Sequence, residues 1–367
     1  MPSTITMPLQ HQTARPTLTL SNRHQRQRII LWSLLFLLLA TALLCAAVGA
    51  YKINPFDIPY LLWPGNDLSA AESQARAVLL DIRMPRVLLA ILVGCGFGAA
   101  GSAMQALFRN PLADPGLIGV SSGAALGAAL SIVLGTALWP AALIFAGIYA
   151  PMVAAFVGAL VVAMLVYRIA ANRGRLALPL LLLAGIAINA IAGAAIGLLV
   201  YIASDDQLRT LTFWNLGSLA GAQWQLIAVT TPVVLLCLAA LARHSAALNA
   251  MLLGETEALH LGVAVLTIKR HILIASALCI GALVSATGTI GFIGLVAPHC
   301  IRLACGPDQR VVLPGAMLFG AILTLLADLV ARTVAAPAEM PLGILTALLG
   351  GPFFLVLLWR RRGQLGL

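Results

Sequence analysis

The chain has 367 residues, 61% hydrophobic and only 9% charged, with a mean hydropathy of +1.01. Soluble domains are roughly a quarter charged, so a water-soluble globule is excluded and a polytopic helical membrane protein is implied. The net charge of +10 is dispersed between apolar runs, which fits membrane orientation and speaks against nucleic-acid binding.

Residues 1–28 are polar, include Arg15, Arg23, Arg26 and Arg28, and read as a cytoplasmic arm. The uncharged run that follows, 29–51, exceeds the apolar core of a cleaved signal. A membrane helix needs about 20 apolar residues. By that measure 29–51 and 87–108 are spans, and 115–167 divides into two at Gly135 and Trp139-Pro140. Further spans lie at 177–203 and 224–242. The run 272–301 carries SATGTIG in its middle and is either one long helix or two helices broken at Gly288 and Gly291. Spans at 311–333, with Asp328 and Arg332 near its end, and at 342–359 complete the set before a short tail, 363–367.

Charge decides between nine spans and ten, because the choice flips every later loop. Ten spans place 16 Lys and Arg inside and six outside, whereas nine give 12 and 10. The expectation is therefore an all-α domain over 29–362 with ten transmembrane helices, a short eighth one, and both termini cytoplasmic. Small-xxx-small pairs, Gly94 with Gly98, Gly123 with Gly127 and Gly193 with Gly197, suit close helix packing in lipid.

Six cysteines sit mostly inside apolar runs and form no disulfide framework. His299, Cys300 and Cys305 are too few and too poorly spaced for a zinc site, so no metal is expected. A phosphate-binding loop of the Walker type requires Gly-Lys-Ser/Thr. The two lysines, Lys52 and Lys269, stand in no such motif.

Two inner loops stand out. MLLGETEALHLG, within 250–263, is too short to span; it fits a small helix bounded by Gly254 and Gly262, with acids in its first turn and leucines to bury against lipid or a partner. RNPLADPG, from Arg109 to Gly116, is held non-helical by two prolines, and Asn110 and Asp114 are suited to bond their own backbone. On the outer side Arg83 and Arg86 flank Pro85, and Asp328 precedes Arg332 by four residues in the favourable acid-before-base order.

The series RMPR (83–86), RNPLADPGLIGVSSGA (109–124), LGETEALHLG (253–262), GTIGFIGLVAPHCIRL (288–303), LPGA (313–316) and ADLVAR with AEMPLGILTALLGGPFF (327–354) closely resembles the permease subunits of ATP-binding-cassette importers for iron siderophores, haem and vitamin B12. The resemblance implies the vitamin B12-importer-like fold in a bacterial inner membrane. Its implied partners are a second permease copy, two ATPase subunits holding ATP and Mg, and a periplasmic substrate-binding protein, with no cofactor on this chain. It implies that Gly254, Glu255, Ala258, Leu261 and Gly262 belong to a coupling helix seated in the ATPase. Arg83, Arg86 and Arg332 match positions that hold acidic residues of the binding protein, and Asn110, Pro111, Leu112, Asp114 and Pro115 match a cytoplasmic gate, together with the loop from Asn172 to Pro179.

The outer segment TLTFWNLGSLAGAQW (210–224) looks more like haem permeases than vitamin B12 permeases, so haem is the expected cargo and a ferric siderophore the alternative. Asn189, Ser285, Thr287 and Gln105 are the polar residues expected along a mostly apolar path. An ion-coupled secondary transporter is the rival of another class, but it calls for ionisable groups at mid-membrane. Asp328 lies near the end of its span instead, and no cluster of acid, base or metal ligands suggests an enzyme.

Overall fold

The computed structural model describes residues 20–63, 68–138, 140, 147–172, 175–335 and 338–362. Arg15, Trp139, Arg173 and the tail 363–367 lie outside the described residues.

The first helix, α1 (Leu20–Ala47), starts inside the stretch read as an arm, and Gln27 is buried there, donating to the Cys305 carbonyl at 3.0 Å. α2 (Ala70–Ala77) opens on a capping box between Ser69 and Glu72 and continues through a π-helical turn, Val78–Arg83, into α3 (Met84–Leu107). Pro85 has no N–H to return to the preceding turn, and the helix widens just before it.

α4 (Val120–Leu138), α5 (Ala150–Ala170) and α6 (Leu178–Ile202) follow, with a two-residue antiparallel pairing, Ala171–Asn172 with Arg175–Leu176, between the last two. Next come α7 (Asp205–Leu216), α8 (Trp224–Arg243), α9 (Ser245–Leu253) and α10 (Glu255–His260). α11 (Val265–Thr287), α12 (Ile293–Cys305), α13 (Gln309–Val334) and α14 (Leu342–Arg362) complete the chain.

Seven helices among the described residues are long and apolar enough to cross a membrane, and three shorter apolar helices lie at Val120–Gly135, Ile293–Cys305 and Leu342–Leu357. The chain is a multi-pass membrane protein. Of the best apolar windows, 78% is buried in Ala70–Leu107 and 72% in α11, but 22% in α1 and 28% in α6, which sets α3 and α11 at the centre and α1 and α6 at the rim. α13 lies along α3, α12 fills the angle between them, and α4 with α5 forms a wing against α11.

Glycine makes the central crossings possible. A Cβ on Gly94 would stand 2.3 Å from the Gly320 carbonyl oxygen, and one on Gly101 only 1.8 Å from that of Gly294. Backbones in contact gain dispersion energy that lipid cannot match. The expected pairs divide on this test. Gly123 faces the Gly158 carbonyl and Gly127 that of Ala154, whereas Gly193 and Gly197 meet nothing within 4 Å.

The apolar run 272–301 is broken at Gly288, where φ is +73°, and resumes at Ile293 after Phe292 at φ +66°. The break is clamped from outside: Ser218 N–H donates to the Thr287 carbonyl at 2.8 Å, and Leu342 N–H to the Gly217 carbonyl at 2.9 Å. A Cβ at Gly288 would lie 2.0 Å from the Trp214 oxygen, so both its dihedral and its surroundings require glycine. With 13 residues, α12 is about 20 Å long.

Candidate functional site

Two polar centres lie at opposite ends of the bundle. At the first, Arg86 reaches from α3 to α13. Its Nε donates to Asp328 Oδ1 and Oδ2 at 2.9 and 3.0 Å, and its Nη1 grips Glu339 at 2.9 and 3.0 Å. Asp328 also faces Arg332 Nε at 3.6 Å, one helical turn on, and Arg332 donates to the Cys45 carbonyl at the end of α1. Arg83, held on the π turn, donates to the carbonyls of Ala46, Ala47 and Tyr51. The first two of those oxygens end α1, where the helix dipole favours a cation.

Arg83, Arg86 and Arg332 stand at one end of the bundle with their side chains turned inward. Arg83 is 4% and Arg86 8% exposed, and Asp328 is 3% exposed, while the carboxylate of Glu339 is 43% open. Arg86 and Arg332 share the carboxylates of Asp328 and Glu339, whereas the Arg83 guanidinium is met by backbone carbonyls alone. The Asp328–Arg332 pair follows the four-residue spacing in the sequence, whereas the hold of Arg86 on Asp328 and Glu339 is not legible there, because those contacts span over 240 positions.

At the other end, α9 and α10 form the expected short-helix loop. Gly254 (φ +141°) joins them and Gly262 (φ +80°) closes the second. A Cβ at Gly254 would stand 1.9 Å from Glu257 Oε2. Ala258 is fully buried beneath the loop, whereas Leu253, Leu259 and Leu261 are 69%, 59% and 64% exposed. Of the leucines expected to bury, Leu252 packs on the core, and these three find no cover within the described residues. Glu255 pairs with Lys269 of α11, Oε2 to Nζ 2.6 Å, and that lysine is buried. Lys269 went unrecognised in the sequence, although it is one of two lysines and opens an apolar run.

A second connection runs from α9 inward. Asn249 Nδ2 donates to Asp308 Oδ1 at 2.6 Å, and Asn249 Oδ1 accepts from Gln309 N–H at 2.7 Å. Gln309 Oε1 then accepts from Ser102 Oγ of α3 at 2.8 Å. The loop is therefore wired to the central helix through fully directed hydrogen bonds.

The turn after α3 behaves as its composition dictates. Asn110 Oδ1 accepts from Leu112 N–H at 3.0 Å, and Asp114 Oδ1 from Gly116 N–H at 2.7 Å. Arg109 enters it in the left-handed region, φ +48°. Pro111 and Leu112 are half-buried and Pro115 starts a 3-10 turn ending at Gly119. Burial pushes the Asp114 carboxyl above the usual range, partly offset by the Gly116 N–H.

Of the polar residues expected along a path, Gln105, Ser285 and Thr287 are buried among helices instead. Gln105 accepts from Arg302 at 2.7 Å and reaches the Leu295 carbonyl, while Ser285 and Thr287 bond carbonyls one turn back. Asn189 is half-buried, with its Oδ1 shielded and unpaired. The described cysteines are all free, and no group of three or more metal ligands occurs among the described residues.

Comparison with known proteins gives these arrangements a context. The sequence model of the FecCD transport family matches residues 37–360. The hemin transport system permease protein HmuU of Yersinia pestis is 47% identical over 344 residues, covering 94% of this chain and 99% of that one. The vitamin B12 import system permease protein BtuC of Salmonella typhi is 39% identical over 342 residues, covering 92% and 97%. A solved structure described as an inward-facing conformation of a metal-chelate type ABC transporter superposes with a TM-score of 0.78 at 32% identity, covering 91% of this chain and 99% of that one.

Proposed function

The chain belongs to the FecCD transport family, and from that premise we propose that it is the permease of an ATP-binding-cassette importer that moves haem into the cytoplasm across a bacterial inner membrane. The observation that carries the cargo is the 47% identity to a hemin permease along nearly the whole of both chains, against 39% to a vitamin B12 permease. In this reading all ten apolar helices cross the membrane, both termini are cytoplasmic, and two copies enclose the path. ATP and Mg reside on two separate ATPase subunits.

The mechanism follows from where the two polar centres lie. The loop carrying Gly254, Glu255, Ala258, Leu261 and Gly262 seats its exposed leucines in the ATPase. Closure of the ATPase pair moves this loop, and the Glu255 to Lys269 and Asn249 to Asp308 contacts pass the movement to α11 and α13 as a rigid-body switch. The turn of Asn110, Pro111, Leu112, Asp114 and Pro115 ends α3 beside the path and acts as part of the inner gate. Outside, acidic residues of the binding protein dock on the centre formed by Arg83, Arg86 and Arg332, competing with Glu339 for Arg86. Such charged contacts set register and association rate more than affinity.

Haem uptake into liposomes holding this permease and its ATPase, with ATP inside and haem-loaded binding protein outside, tests the reading. ATP-dependent accumulation of haem supports it. Entry of a ferric siderophore with its own binding protein, while haem stays outside, leaves the architecture and replaces the cargo. Transport that persists without the ATPase and collapses with the proton gradient rejects the importer altogether.

A further inference from the structure

Between α8 and α11, at the end of the bundle that carries the α9–α10 loop, lies a cleft of about 710 Å³. Its walls are Leu236, Ala240, Ile274 and Leu278, and Leu236 is 73% exposed. At one end stand Arg243, His244 and His271, with the two imidazole centroids 5.3 Å apart and the arginine as the fixed positive charge. A second cleft of about 430 Å³ runs along the opposite flank of α11, against α5. It shares Ile274 and Leu278 as a ridge and has Arg270 and Tyr167 at the corresponding end.

No carboxylate lines either cleft among the described residues, and neither Arg243 nor Arg270 takes part in a described ion pair. Glu255 of the neighbouring loop is taken by Lys269. A soluble anion has no use for two long apolar clefts, and a neutral lipid has none for the two arginines at their ends. Basic pockets between helices at a membrane surface suit anionic headgroups.

We propose that this face of the permease binds an anionic diacyl phospholipid, its phosphate against Arg243, His271 and Arg270 and one acyl chain on each side of the Ile274 to Leu278 ridge. The lipid then packs directly on α11, the helix that Lys269 joins to the loop. The site is independent of the cargo and of the ATPase, so its test is separate from that of the transport reading.

The test is native mass spectrometry of the full chain released from detergent after incubation with dioleoyl phosphatidylglycerol or dioleoyl phosphatidylcholine. The phosphatidylglycerol adduct should be favoured, and each of Arg243→Gln and Arg270→Gln should weaken that preference about fivefold. Ala240→Phe, which fills the first cleft and leaves every charge in place, should also lose the adduct. His271→Gln, on an exposed side chain, keeps the measurement available should an arginine variant fail to fold. Equal retention of both lipids, or unchanged preference in the charge variants, overturns the proposal. Displacement by inorganic phosphate alone would assign the mouth to a soluble anion, and loss of a dimer in Ala240→Phe would assign the cleft to a second copy; either also overturns it.

Discussion

Lys269 Nζ lies 2.6 Å from Glu255 Oε2, and this contact joins the first turn of α10 to the membrane helix α11. The lysine side chain is 5% exposed and the glutamate 41%, so a deep charge is neutralised by one that sits at the surface of a loop. A buried ammonium without a partner is costly, and the loop is thereby tied to the position of α11.

Glu255→Gln keeps the size of the side chain and removes its charge. A charge-assisted hydrogen bond of this kind contributes about 2 kcal/mol. The expected outcome is a fall in ATP-driven uptake of about tenfold or more, with the protein still inserted and folded. Uptake rates in proteoliposomes, normalised to protein content, check it; a rate equal to the parent's would show that the pair does not transmit the stroke.

Asp328 balances both Arg86 and Arg332, so Asp328→Ala leaves two buried guanidiniums with Glu339 alone. The loss should be about 3–5 kcal/mol. Thermal melting in detergent should fall accordingly. The double variant Arg86→Met with Asp328→Leu should recover only part of it, because the desolvation cost disappears for that pair while Arg332 keeps its bond to the Cys45 carbonyl without a carboxylate.

Gly101→Ala and Gly193→Ala offer a controlled comparison. At Gly101 the new methyl would meet the Gly294 carbonyl at 1.8 Å, where backbone must move, and overpacking costs about 1–3 kcal/mol. At Gly193 it meets nothing within 4 Å, and the isolated chain should melt as before or slightly higher. A loss of dimer in Gly193→Ala with unchanged melting would place that open face of α6 against the second copy.

The pH dependence of stability carries a contribution from His244, whose imidazole is held below the usual range first by burial and then by His271 and Arg243. Because its folded pKa is depressed, the unfolded chain binds the proton more readily. Stability is therefore full above the unfolded value of about 6.5 and is lost as pH falls through the folded one. His244→Gln should flatten the difference in melting temperature between pH 7.5 and 5.5; an unchanged difference would mean that other groups govern it.

The sequence was most informative where one residue type has one physical use. Asn110 and Asp114 bond the backbone two residues on, and Gly254 and Gly262 adopt positive φ, because such short polar and side-chain-free residues serve those geometries locally. The break at Gly288 was readable as one of two alternatives and needed loop charge to be chosen. The partners of Lys269, the inward turn of Arg83 and Arg86, and the burial of Gln105 were unreadable, since each rests on contacts between distant segments.

Composition and hydropathy by themselves determined that this chain lives in a membrane as a bundle of helices, because lipid leaves the backbone few other ways to satisfy its hydrogen bonds. Motif order determined the family, and local turn chemistry determined the Arg109–Gly116 turn and the Gly254–Gly262 loop. Only the tertiary structure decided which glycines are in contact and which stand open, and which charges are spent internally. Helix crossing sets those distances, and a charge's function in low dielectric depends on the partner that packing brings within reach.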